Sequence, residues 1–267
     1  MSIPVTATVV TLNAASTLER CLRSVAWADE ILVVDSGSQD ATLEIARRLA
    51  HRVEQHDWLG YGAQKRYATG LACHDWILSL DADEWLSPEL GTSLRELLRE
   101  TPTRHGYRIN CRNRFMGRWL LHGEGYPDPH LRLFDRRYGA WQDRPIHEQV
   151  RVEGPVGRLV GDLLHESAQS LGDYLAKQNR YTQLQAGLLW QEGKRATALH
   201  LVVRPLWRFI RLYLLKRGFL DGVPGLVHVA IGCFNTFSKY AKLWELQTGD
   251  GPTRGRIQRS DPPTGSE

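Results

Sequence analysis

Apolar residues in the first ninety positions fall into two alternating patterns. Mainly apolar runs occupy residues 5–12, 31–34 and 75–80, and each predicts a buried strand. Between them the apolar residues recur every three or four places. Leu18, Leu22 and Val25 share one helical face, with Ser16 as the expected cap and Glu19 three residues later. Leu43, Ile45, Ala46 and Leu49 form a second helix, for which Asp40 is the expected cap. A short third strand is expected over residues 52–54 and a further helix over 64–72. Strand and helix alternating in this way predict an α/β fold, a mostly parallel sheet with helices on both faces. In such sheets ligands bind beyond the carboxyl ends of the strands. Asn13, Asp35 and Asp81 stand at those ends.

From about position 103 the pattern changes. GYRINCRNRFMGRWL and HLRLFDRRYGAW read as antiparallel strands rich in arginine, among glycine and proline turns. Residues from 171 onward read as helical. Within LHLVVRPLWRFIRLYLLKRGF, Arg204, Arg208 and Arg211 are spaced four and three apart, hence on one face. Leu206, Trp207, Phe209, Ile210, Tyr213 and Leu214 cover the rest. Two readings stay open: a basic stripe lying in an anionic membrane interface, or a core-packing helix whose arginines face water or acids. The tail from Thr248 is glycine, proline, serine and charge, and is expected to be disordered.

A chain of 267 residues, 42% of them hydrophobic, is long enough for one large domain or one domain with an appendage. The net charge of +4 suits an anionic partner without requiring one. With 34 basic against 30 acidic residues and no recognition motif, nucleic-acid binding ranks last among the functions considered. The four cysteines, Cys21, Cys73, Cys111 and Cys233, lack metal-ligand spacing and are too few for a disulfide framework, so buried cytosolic thiols are expected. The N-terminus has no basic segment followed by an apolar one, and no window holds 18 consecutive apolar residues. A cytoplasmic protein is the expectation.

The candidate chemistry lies in LSLDADEWL, residues 78–86, where Asp81, Asp83 and Glu84 follow an apolar run. Carboxylates two apart at a strand end can converge on one point, and their repulsion is relieved by a cation. Hard oxygen ligands suit Mg²⁺ or Mn²⁺, which bridge to phosphates. The bland alternative is a solvated acidic loop, or a helix N-terminus starting near Ser87 and Pro88. In VVDSGSQDAT, Asp35 ends a strand and can accept hydrogen bonds from a base or ribose, or simply belong to an ordinary turn. The stretch NAAST after the first strand holds no glycine, which disfavours a nucleotidylyltransferase phosphate loop.

VVTLNAASTLERCLRSV, ILVVDSGSQDAT, GYGAQKRYA and DWILSLDADEWLSPEL, in that order and spacing, resemble a family 2 glycosyltransferase with the GT-A fold. HLRLFDRR, RPIHEQV, LLHES and RGFLDGVPGL further resemble the subgroup of lipopolysaccharide-core β-glucosyltransferases. The resemblance implies a catalytic nucleotide-sugar domain over residues 1–170, a helical region over 171–247 facing the acceptor or a membrane, and a tail over 248–267. It implies that Thr11, Asn13 and Ala82 line the nucleotide pocket and that Asp35 contacts uracil or ribose. Asp81 would face ribose and metal, Asp83 would be the main metal ligand, and His165 would complete a Mg²⁺ or Mn²⁺ site. Glu148 stands where the family keeps its catalytic base; Glu124 or Asp143 is the fallback. Lys65, Arg66 and Arg132 are the basic groups available to a leaving diphosphate, Arg132 lying between Leu131 and Leu133. The chain departs from many relatives at Ala14 and Ala15, where acids are common, and at Arg66, where asparagine is common.

The reaction so implied is an inverting transfer of a hexose, glucose from UDP-glucose, to a lipopolysaccharide-core or other lipid-linked glycan. Its partners are the UDP-hexose donor, a glycolipid or oligosaccharide acceptor and an inner-membrane surface. The rival is a nucleotide-sugar-binding or membrane-scaffold protein without transferase activity; the presence of Asp81, Asp83 and Glu148 together weighs against it.

Overall fold

The computed structural model describes residues 2–142, 148–166 and 170–249. They form two compact units: residues 2–112 with 128–166, and residues 113–127 with 170–249.

The first unit opens as the apolar pattern predicts. Strand β1 (Val5–Thr11) leads to helix α1 (Ala15–Ser24), β2 (Glu30–Asp35), α2 (Thr42–Leu49), β3 (Arg52–Gln55), α3 (Tyr61–Leu71) and β4 (Trp76–Asp81). A two-residue turn gives β5 (Glu84–Leu86), then α4 (Pro88–Arg99) and the long β6 (Gly106–Phe115). After β7 (Arg118–Trp119) come β8 (Asp128–Asp135), β9 (Gly139–Trp141), β10 (Val150–Val152) and β11 (Val156–His165).

The main sheet has the order β3-β2-β1-β4-β8-β6-β11-β5, and β9 pairs with β10 in a small second sheet. Strands β3, β2, β1 and β4 are mutually parallel. The rest is not: β8 runs antiparallel to β4 and β6, and β5 antiparallel to β11. The sheet is therefore mixed rather than mostly parallel. A parallel pair needs a crossover helix, and the chain supplies helices between strands only as far as α4.

Side chains alternate across the parallel half. Ala7, Val9, Ile31, Val33, Leu78 and Leu80 face α1, α2 and α4 in the main core. Val10, Leu32 and Val34 pack on Ala68 and Tyr67 of α3 on the other face. This period of two, with apolar residues on both faces, is why these strands read as continuous apolar runs.

The helix starts correct two expectations. Ser16 does not cap α1. The free N–H groups there are met from the second loop: Ala14 donates to Thr42 Oγ1 at 2.8 Å and Ala15 to Asp40 Oδ2 at 3.1 Å. The other Asp40 oxygen accepts from Thr42 N–H at 3.0 Å, so Asp40 stabilises two helix starts while lying two residues before α2, whose cap position is Ala41. Ser87 caps α4, with Pro88 in its first turn. The cysteines do not share one environment either: Cys21 and Cys111 are buried, Cys233 is half-buried and Cys73 is exposed. Cys73 lies in the turn before β4, where its N–H and thiol donate to Glu30.

In the second unit, the end of β6 forms a hairpin with β7. Helix α5 (Leu171–Gln191) begins with a reciprocal Ser170–Asp173 cap. Helix α6 (Ala198–Phe209) contains Pro205 and runs into a π-helical stretch, Ile210–Leu215, and a 3₁₀ turn, Gly218–Asp221. Helix α7 (Gly222–Thr248) packs on both α5 and α6. Thr248 thus ends a helix instead of opening the tail, and residues 250–267 lie outside the described set. The arginine stripe is also divided. Arg208 pairs with Glu124 and donates to Thr236 at 3.0 Å, Arg204 lies over the Tyr240 ring, and Arg211 is exposed in the π-helical stretch.

Two glycines with left-handed backbone give a test of packing against strain. Gly37 (φ +97°) has open space where a Cβ would stand, whereas a Cβ on Gly161 (φ +94°) would run into the backbone of Leu90. Gly37→Ala should cost only the conformational strain, about 1 kcal/mol. Gly161→Ala should cost that plus the displacement of α4, roughly 2–4 kcal/mol in all. Urea unfolding of both variants reads the difference; equal midpoints would contradict it.

Candidate active site

The site grows from the carboxyl end of β4. Leu78 and Leu80 are anchored in the core, and the strand delivers Asp81 to the rim, with its side chain 30% exposed. Ala82 turns inward against the core, and Asp83 turns outward, 33% exposed. Glu84 and Leu86 face inward again in β5. β5 pairs with β11 in the register Glu84↔His165, so the end of β11 comes alongside the acidic turn. Glu166 N–H donates to the Asp83 carbonyl at 3.1 Å, fixing that junction. His165 Nε2 lies 3.1 Å from Asp83 Oδ2. Burial pushes the pKa of the nearby Cys111 thiol up, with His165 opposing it.

Two buried cations serve the other acids. Lys65, on the inward face of α3, has its Nζ 2.8 Å from Asp81 Oδ1 and 3.6 Å from Glu148 Oε1, beneath the Trp141 ring. Arg132 of β8 donates to Asp81 at 3.2 Å and to Glu84 at 2.5 Å. Its Nε and Nη1 are buried without a hydrogen-bond partner among the described residues. The second Glu84 oxygen accepts from the Asp81 N–H at 2.9 Å. Burial works against the ionised form of Asp81, yet Lys65 and Arg132 hold its carboxyl well below the usual range. Burial and the nearby Asp81 charge push Glu84 up, with Arg132 opposing them. His165 is raised as well: burial disfavours its charge, but Asp83 beside it outweighs that and holds its pKa well above the ordinary value.

The expected residues therefore divide into groups. Lys65, Asp81, Arg132 and Glu148 come together, and Asp83 and His165 form the adjoining pair. The two aspartates have different partners: the Asp81 carboxylate meets Lys65 and Arg132, and Asp83 meets His165. Asp83 and His165, once its imidazole has given up the proton, are the pair whose donor atoms would suit a divalent cation. An oxygen and an imidazole nitrogen are suitable donors, and Mg²⁺ or Mn²⁺ commonly takes few protein ligands, the rest being water and substrate phosphate. Among the described residues no three of His, Cys, Asp or Glu form a closed ligand cage.

Asp35 does not present a carboxylate to a ligand. It is fully buried, and its oxygens accept from the N–H groups of Gly37 and Ser38 and from the Ser38 hydroxyl. Asn13, itself in a left-handed conformation (φ +48°), joins the same network: its N–H donates to Ser38 Oγ and its side chain accepts from Gln39 N–H. Gln64 ties α3 to this turn through Ser36. Thr11 is buried at the end of β1, with no hydrogen-bond partner for its hydroxyl among the described residues. Arg66 is exposed, turned about 100° around α3 from Lys65. Glu124, the fallback base, pairs with Arg208 in the second unit, and Asp143 lies outside the described residues.

Three contributors were assigned no part in the site by the sequence reading, although Glu84 was named there within the acidic run. Glu84 supports Arg132; an acid on the same face of a strand as Leu86 was its signal. Trp141 covers the Lys65 ammonium, and nothing in its neighbourhood of the sequence marked it. A Cβ on Gly62 in α3 would stand 2.9 Å from the Gln142 carbonyl and 3.4 Å from Glu148 Cβ, so its absence lets Glu148 approach Lys65.

The sequence profile of glycosyl transferase family 2 matches residues 6–148. The chain is 29% identical over 250 residues to the lipopolysaccharide core biosynthesis glycosyltransferase LpsC of Rhizobium meliloti, across 91% of this chain and 93% of that one. It is 28% identical over 259 residues to an uncharacterised glycosyltransferase of Rickettsia prowazekii, across 89% and 86%. Among solved structures it is similar to a mannosyltransferase of Pyrobaculum calidifontis, with a TM-score of 0.50, 17% identity and coverage of 92% and 87%. That last likeness bears on fold alone, and the fold is the expected GT-A one, with a mixed sheet and a helical C-terminal extension.

The buried pairing makes a stability prediction. Glu84→Ala takes from Arg132 the nearer and more buried of its two carboxylates and should cost up to about 3–5 kcal/mol. Arg132→Met should cost a similar amount by stranding Glu84. The double variant should lose distinctly less than the two losses added, because neither charge is then left alone. Denaturant unfolding of the three variants checks this; strict additivity would show that the two residues act independently.

Proposed function

Since the chain belongs to glycosyl transferase family 2, we propose that it is an inverting, metal-dependent hexosyltransferase that moves glucose from UDP-glucose to a lipopolysaccharide-core or other lipid-linked glycan. The observation that carries this reading is the Lys65 ammonium, which touches Asp81 on one side and Glu148 on the other. It places a carboxylate able to act as base next to the acidic strand end where the donor would bind.

Glu148 has its side chain 25% exposed, so it is held by the fold yet open to an acceptor. It takes the proton of the acceptor hydroxyl as that oxygen bonds to the anomeric carbon. The bond from that carbon to the diphosphate oxygen breaks on the opposite face, and an α-linked donor yields a β-linked product. Lys65 and Arg132, already set in a water-poor position, face the charge that grows on the leaving diphosphate. The unpartnered Arg132 N–H groups are the spare donors for that charge. A divalent cation held by Asp83 and His165 would neutralise the same charge when bound. Asp81, its carboxylate matched by two cations, is left to the ribose side. Asp35 acts at one remove, by holding the turn of residues 36–38 in shape around the uridine, with Thr11, Asn13 and Ala82 along the wall.

The relative in Rhizobium meliloti, named for lipopolysaccharide core biosynthesis, supports the acceptor class. The mannosyltransferase of similar fold was solved with GDP-Man and Mn²⁺, in keeping with a nucleotide-sugar and cation pair. UDP and glucose rest on the subgroup motifs alone. Among the described residues no helix is long and apolar enough to cross a membrane. A lipid-linked acceptor would then be met at the cytoplasmic face of the inner membrane by a peripheral enzyme.

Asp83→Ala should abolish the metal-dependent thermal stabilisation given by UDP; a variant still stabilised by Mn²⁺ with UDP would remove Asp83 from the metal site. Glu148→Gln should bind UDP as before but lose transfer by at least ~10²-fold. Turnover near the parent value would pass the role of base to another carboxylate. A parent chain that releases no UDP from UDP-hexoses with either metal would leave a binding protein without chemistry.

A further inference from the structure

Helix α6 is mostly apolar and yet has no buried side chain. Leu199, Val202, Val203, Leu206 and Trp207 fall on one stripe of the helix, between 47% and 70% exposed. Leu201, Pro205 and Arg208, on the opposite stripe, are half-buried on the side that packs against α7. The exposed apolar character continues past the helix through Leu214, Leu215 and Phe219. A soluble surface rarely leaves so much contiguous apolar area uncovered without a partner.

Charge identifies the partner. Between residues 193 and 244 the chain has nine lysines and arginines and a single acid, Asp221. That acid is 1% exposed, its carboxylate taken by the N–H groups of Leu121 and His122. Arg211, Lys216 and Arg217 are exposed among the apolar residues that end the segment. Two copies of such a face would bring like charge against like with no exposed acid to relieve it, so self-association through it is disfavoured. An occupant with an apolar interior and an anionic rim satisfies both features.

We propose that α6 and the turns after it, residues 198–220, lie in the plane of an anionic phospholipid bilayer. Leu199, Leu206 and Trp207 enter the headgroup–acyl boundary, and Arg211, Lys216 and Arg217 sit at the lipid phosphates. The arginine stripe is not what makes this surface. Arg208 is turned inward onto Glu124, and the inserting side is the apolar one opposite it. The inference deepens the proposed function and rests on it only for the reason a membrane is useful, namely a lipid-linked acceptor.

Flotation of the full chain with vesicles tests it. Vesicles of phosphatidylcholine with about a third phosphatidylglycerol should carry the protein, pure phosphatidylcholine much less, and about 0.5 M salt should weaken the binding. The double variant Leu206→Glu/Trp207→Glu should bind the anionic vesicles at least about tenfold more weakly, and so should Arg211→Glu/Arg217→Glu. Both variants should keep the parent unfolding midpoint, because the substituted side chains are exposed. A parent that stays soluble beside anionic vesicles overturns the proposal, as do variants that bind like the parent. So does a parent dimer that Leu206→Glu/Trp207→Glu splits, which would put a second copy of the chain on this face. Hydrolysis of UDP-hexose without lipid separates the two readings: vesicle binding without donor turnover defeats the transferase and leaves the membrane face, and turnover without vesicle binding does the reverse.

Discussion

A buried positive charge is tolerable only beside negative charge, and the first unit buries two. Lys65 and Arg132 are 3% and 7% exposed, so the chain must bring carboxylates to them or lose several kcal/mol for each stranded cation. It does so from three separate places: Asp81 at the end of β4, Glu84 at the start of β5, and Glu148 after β9. Much of the geometry at this end of the sheet follows from that demand. Helix α3 must turn Lys65 inward, and β8 must hold Arg132 between Leu131 and Leu133. The chain beyond β9 must come close enough to α3 that Gly62 can have no side chain.

The same pairing divides the work of the two aspartates. Both sit at the rim and are about equally exposed, yet they meet different neighbours. Asp81 is neutralised from within the protein, by groups with no freedom to leave. Among the described residues the Asp83 carboxylate meets the imidazole of His165, whose charge depends on its surroundings. The proposed cation is therefore assigned to Asp83, the carboxylate outside the inner cluster of Lys65, Asp81, Glu84 and Arg132. The register of β5 against β11 makes this possible, since it sets His165 opposite Glu84 and next to Asp83.

The second unit arranges charge in the opposite sense. Its polar contacts face inward, where Arg208 joins Glu124 and Thr236. A Cβ on Gly232 of α7 would collide with the Glu124 carboxylate and crowd the Arg208 guanidinium, so glycine is what gives the pair its room. Leu199, Val202, Val203, Leu206 and Trp207 of α6 face outward. A helix built this way does not stabilise its own unit by burying that face; the face is available for binding.

The parallel strands, their helices and the acidic strand end were legible in the sequence because each depends on local periodicity and on residues a few places apart. Continuous apolar runs reported strands buried on both faces, and Asp81 and Asp83 declared themselves by following one of those runs. Antiparallel character after position 103 was visible in alternation and turns. The pairing of β5 with β11 was not, because it joins residues some eighty positions apart through a register that no local pattern encodes. Capping of α1 by Asp40 and Thr42 in place of Ser16 came from a neighbouring loop, and the burial of Asp35 came from its own turn closing over it. The partners of Arg132 and Arg208 were likewise settled only in three dimensions. A charged side chain reads the same in sequence whether it faces water, a ligand or a buried acid, and only the packing around it decides which of these it meets.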